Sequence, residues 1–163
     1  MRAFLRPLYR PRTQGFWLYV SLAASVSAAG SVALLSVINH LTDWLAPDVE
    51  GPSVEAGWID FFVVVVFSPA VETALLLLTL RLVQKTNFSA GTSAAAAALI
   101  WGGLHAIVYP VWFFGTVWSF FVFSCAALAW RNKSRKHAYW AAALPHALVN
   151  AAAFGVLAFS AGA

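Results

Sequence analysis

Glu72, His105 and His146 each fall inside a long apolar run of the 163-residue chain, and Asn150 follows His146 by four residues. A charged side chain within a membrane span costs about 3 kcal/mol on insertion scales, so such groups are rare and mark function or interhelical bonding. A carboxylate, two imidazoles and a carboxamide form an acid–base set suited to hydrolysis by an activated water. Glu72 would take a proton from that water and a histidine would share it. The other histidine and Asn150 would donate to the developing oxyanion, the contribution that is usually largest. His146 and Asn150 lie four apart and so share one face of a helix. Taken singly, each residue has a plainer role. An intramembrane His or Asn often bonds neighbouring helices together, and a Glu can sit protonated and hydrogen-bonded. The combination on three separate runs points to one shared cavity.

These residues need elements to hold them, and the composition says which kind. The chain is 61% hydrophobic and 10% charged, where a soluble domain carries about 25% charged residues. A single soluble core of this length cannot cover that much apolar surface. Five apolar segments stand out, at roughly 15–39, 59–80, 90–109, 111–130 and 138–160. Each approaches the ~20 residues that cross ~30 Å of hydrocarbon as a helix. Backbone groups must pair internally in lipid, so the predicted class is all-α, a polytopic membrane protein of about five transmembrane helices in one domain, 1–163. The stretch 15–39 follows Arg2, Arg6, Arg10 and Arg12 and reads as an uncleaved signal anchor. Residues 59–160 form a four-helix region that carries the polar set. The break at Tyr109-Pro110 separates the third and fourth helices, and Pro145 offers a kink or a freed carbonyl beside His146.

Charge in the connections predicts orientation. Segment 40–58 holds Asp43, Asp48, Glu50 and Glu55 without a Lys or Arg. With five spans, all ten basic residues fall on one side, which the positive-inside rule makes cytoplasmic. The N-terminus is then cytoplasmic and the C-terminus outside. Counted from the basic ends at 1.5 Å per residue, Glu72 and His146 lie about 12–14 Å deep. His105 lies about 23 Å deep from Ala90, and below 20 Å if Ser93 caps its helix. His40 and His137, at span ends, are expected to face water. Cys125 reads as a small buried apolar residue. No glycine-rich phosphate loop, zinc-type cysteine spacing or basic-aromatic nucleic-acid pattern occurs, so the expected surroundings are the bilayer and a peptide or protein substrate, with no nucleic acid.

The strings Pro69-Ala-Val-Glu72, Trp101-Gly-Gly-Leu-His105 and His146-Ala-Leu-Val-Asn150 resemble the three motifs of the CAAX-protease and bacteriocin-processing (Abi) family of intramembrane peptidases. Its motifs are Glu-Glu-x-x-x-Arg, aromatic-x-x-x-His and His-x-x-x-Asn/Asp, in this order on successive membrane helices. The resemblance spans about 66–154. It implies a glutamate-dependent peptidase of the CAAX-processing or leader-peptide-processing kind. Glu72 would activate water, His105 would assist, and His146 with Asn150 would bind the oxyanion, without a cofactor. Two positions depart from the pattern: Thr73 replaces the second glutamate, and Leu77 stands where the arginine belongs.

Other readings of the same residues differ in kind. Glu72, His105 and His146 are the ligand types of a catalytic zinc with an open fourth position. His105 and His146 are also a pair of axial ligands for a haem. The departures at Thr73 and Leu77 favour a third alternative, a non-catalytic partner-binding or immunity-type membrane protein with a vestigial site.

Overall fold

The computed structural model describes residues 15–45 and 57–161. The arginines of the N-terminal arm, the acidic residues Asp48, Glu50 and Glu55, and the C-terminal Ala163 lie outside the described residues. The described chain is all-helical, with five helices long and apolar enough to cross a membrane. They are α1 (Phe16–Leu45), α2 (Trp58–Gln84), α3 (Ala90–Val108), α4 (Trp112–Trp130) and α5 (Arg135–Ala161). The protein is therefore a multi-pass membrane protein by length and apolarity of its helices.

Several helices run further than their apolar cores. α1 continues six residues past 39, α2 continues to Gln84 and α5 begins at Arg135. Lys and Arg extend helices readily, since their long stems lie along the helix while the charge reaches water. Asn87 adopts φ 61° in the turn after α2, a conformation asparagine tolerates better than most residues. Ser89, not Ser93, caps α3 by accepting from the Thr92 N–H at 3.2 Å; Ser93 is fully buried in the second turn. The α3–α4 break falls where Pro110 was expected to place it, with Trp112 N–H bonding Tyr109 O and Phe113 N–H bonding Pro110 O.

α4 is the most buried helix and packs against α1, α3 and α5. Lipid offers little hydrophobic drive for helix association, so close approach and hydrogen bonds between small residues carry it. α1 shows both. Gly30 faces the Trp118 indole so closely that an added Cβ would lie 2.0 Å from its Nε1. Ser27 Oγ donates to Ser119 Oγ at 2.9 Å, Ser31 Oγ donates to Gly115 O at 2.8 Å, and Trp118 Nε1 donates to Val26 O at 2.9 Å. These pairings fix α1 antiparallel to α4 and explain its wealth of Ala, Ser and Gly. At the start of α1, Phe16 lies edge-on to Trp130 and His137. His40 is exposed, as expected, but His137 is half-buried, stacked on Trp130 at 6.0 Å and hydrogen-bonded to Ser134.

α2 packs on α3 and α5 and is not a plain α-helix. Phe62–Phe67 form a π-helical stretch between two α-helical parts. Its cause is Pro69, which has no N–H and whose ring crowds the carbonyl four residues back. The Ser68 N–H reaches five residues back to Val63 O. In that register residue 69 would donate to Val64 O, and proline cannot. Val64 O is instead satisfied from another helix, and that bond positions the polar set.

Candidate active site

Glu72 sits one turn beyond this distortion, at the edge of the buried stripe Pro69, Thr73, Leu76 and Leu80. Its Oε1 accepts from the Ser68 hydroxyl at 2.6 Å, an i to i+4 bond along the same helix. Its Oε2 is buried, makes no hydrogen bond, and points between the two imidazoles. His105 Nε2 lies 3.8 Å from Oε2 and His146 Nε2 lies 3.7 Å from it. Three side chains from α2, α3 and α5 therefore meet around one carboxylate oxygen. The Glu72 and His105 side chains keep 20% and 27% of their exposure, while His146 keeps 5%. The cluster thus opens on the α2–α3 side and closes on the α5 side.

The depth count left His105 too far along its helix, and the longer α2 and α5 account for part of the difference. From Gln84, Arg135 and Ala90 the three residues lie about 18, 17 and 23 Å along their helices. A late start of α3 plays no part.

Each imidazole has a determined orientation. His105 Nδ1 lies 2.9 Å from Trp101 O, and a carbonyl only accepts, so Nδ1 carries the proton. The Nε2 of the neutral ring then presents a lone pair towards Glu72. Trp101 is itself held by stacking on Phe120 at 4.8 Å and 3°. His146 stacks on Phe123 at 4.7 Å and meets the edge of Phe120 at 5.3 Å. Its Nδ1 is buried without a partner. Its Nε2 is the ring nitrogen that faces Glu72 Oε2, at 3.7 Å. Both Nε2 atoms thus face the same carboxylate oxygen.

Asn150 does not face the carboxylate cluster with its donor. Its Nδ2 donates to Val64 O at 2.9 Å, the carbonyl that Pro69 leaves without a helical partner. Tyr139 donates its hydroxyl to Ala70 O at 3.0 Å. Tyr139, His146 and Asn150 are spaced seven and four along α5, which places them on one stripe. Two interhelical bonds therefore bracket His146 and hold it against α2. α5 stays helical through Pro145. Sequence reasoning missed Ser68 and Tyr139. The signal for Ser68 was its position four residues before the only glutamate within a span; Tyr139 offered none beyond its stripe.

A zinc site would require these three side chains to draw closer together. Two ligands about 2.0–2.1 Å from a tetrahedral ion lie roughly 3.3 Å apart. The 3.7 and 3.8 Å separations exceed this. Among the described residues, no group of three His, Cys, Asp or Glu is arranged to hold a metal ion. A haem between His105 and His146 meets a steric objection, because Glu72 Oε2 stands within 4 Å of both Nε2 atoms, where the macrocycle would lie.

Fold and cluster together define an all-helical, multi-pass membrane protein with a carboxylate–imidazole site built from three helices. The chain matches no protein-family model, no curated protein and no solved structure.

Proposed function

We propose that this protein is an intramembrane hydrolase that cleaves a peptide bond with water activated by Glu72. The observation that carries this reading is the Glu72 Oε2 atom, buried, without a hydrogen bond, and placed between the Nε2 atoms of His105 and His146. The separations are too long for direct hydrogen bonds and suit a shared water. In the proposed step the water oxygen attacks the scissile carbonyl while its proton passes to Glu72, with His105 Nε2 as the second acceptor. His146 Nε2–H donates to the oxyanion. The proton on Glu72 then goes to the leaving amine as the C–N bond breaks. Asn150 and Tyr139 position His146 in this scheme. The peptide substrate comes from the motif resemblance, which suggests processing of a protein C-terminus or a leader peptide. We place the N-terminus in the cytoplasm and the C-terminus outside, on the distribution of Lys and Arg.

The test uses the full chain reconstituted in vesicles with candidate peptides, cleavage being read by mass spectrometry. Glu72→Gln keeps shape and hydrogen bonds but cannot take up a proton, so turnover should fall by on the order of 10²–10⁴-fold. Cleavage that survives Glu72→Gln would move the catalyst elsewhere. Activity abolished by chelators and restored by zinc would favour a rearranged metal site.

A non-catalytic reading draws on Thr73 and Leu77, which replace the family's Glu and Arg; Thr73 is fully buried with its hydroxyl unpartnered. If the site is vestigial, Glu72→Leu should stabilise the fold, since a carboxyl without a task is better replaced by an apolar group.

A further inference from the structure

A second polar feature lies at the far end of α2 from the π-helical stretch. Arg81 of α2, Arg131 in the α4–α5 turn and Arg135 at the start of α5 line one cavity of about 130 Å³, together with Gln84. Leu77, Leu80 and Leu128 also line it and are less exposed than the arginines. None of the three arginines has an ion-pair partner among the described residues; both ion pairs there belong to Glu72. The sequence offers little to neutralise them. Of its six acidic residues, one is Glu72 and the other five lie between positions 43 and 60 of the sequence. Among the described residues, the three arginines thus line one cavity without an ion-pair partner.

Arginine forks bind phosphate oxygens bidentately, which a lysine cannot do. The volume is near that of cavities that hold about six heavy atoms, enough for a phosphate group. Exposed arginines beside less exposed leucines suit a ligand with an anionic head and an apolar body. The position, at the ends of membrane-spanning helices, is where lipid headgroups lie, and basic pockets between such helices hold anionic headgroups. We propose that this cavity binds the phosphate of an anionic phospholipid, held by Arg81, Arg131 and Arg135. Lys85 and Lys136, near in sequence but not lining the cavity, are outside this site.

The experiment is native mass spectrometry of the full chain released from mixed micelles, titrated with phosphatidylglycerol. Parallel titrations use phosphatidylcholine and inorganic phosphate. Phosphatidylglycerol should bind saturably at one site. Arg81→Gln and Arg135→Gln should each weaken it about fivefold, and the double variant about 25-fold. Lys85→Gln and Lys136→Gln should leave it unchanged. The arginines are exposed, so the variants should fold, and circular dichroism of each checks this. Equal weakening by the lysine variants would reduce the effect to general surface charge and overturn the site. Equal binding of phosphatidylcholine would do the same. Inorganic phosphate displacing the lipid at equal concentration would make this a free-anion site and overturn the lipid assignment.

Discussion

Replacing Asn150 by alanine should loosen the α2–α5 packing before it touches any chemistry. The carboxamide donates to Val64 O at 2.9 Å, and that carbonyl has lost its helical donor because residue 69 is proline. Interhelical hydrogen bonds in membranes average about 0.6 kcal/mol and reach about 1.7. The upper end applies where the surviving partner is left unpaired, so a loss of about 1–2 kcal/mol is expected. Pro69→Ala supplies the internal control. It returns an N–H at position 69 that can bond Val64 O or let the helix resume an α register. In that background Asn150→Ala should cost about 1 kcal/mol less. Equilibrium unfolding in mixed micelles with rising dodecyl sulfate, followed by circular dichroism, measures all four proteins. Effects that add within about 0.5 kcal/mol would refute the coupling of Pro69 to Asn150. So would a single Asn150→Ala variant as stable as the parent.

Other expectations follow from burial and contact. Thr73→Glu restores the residue of the resembled motif, yet Thr73 is fully buried beside Glu72; it should destabilise by about 3 kcal/mol or more, and a variant of parental stability in the same unfolding assay would contradict that. Gly30→Val drives a side chain into the Trp118 indole and should cost about 1–3 kcal/mol, whereas Gly103→Ala meets nothing within 4 Å and should be neutral. Equal stability of the two would show that α1 is not docked as described. A reporter fused after Ala163 should read as external, and a cytoplasmic signal would reverse the assigned orientation.

The all-helical class and the five spans were legible in the sequence because the bilayer imposes a length and a composition on every crossing helix. The helix ends were less so, since Arg81, Arg135 and Lys136 continue helices that hydropathy alone would stop. The identity of the polar residues in the site was legible too. Glu72, His105 and His146 are conspicuous in an apolar background, and the expense of stranding any of them in lipid predicts that they meet.

What each residue does there was set by tertiary structure. Spacing put His146 and Asn150 on one face and suggested one shared task. The fold separates them, because the π-helical stretch before Pro69 presents an unpaired Val64 carbonyl to Asn150. The proton on His105 Nδ1 depends on the Trp101 carbonyl that faces it, and sequence does not record that. The arginine-lined cavity is of the same kind. Arg81 lies 50 residues before Arg131, and only the packing of α2 against α4 and α5 turns a distribution of charges into a site. Periodicity and composition report how each helix meets its solvent. Hydrogen bonds and counter-charges belong to pairs of helices, and they exist only once the helices have packed.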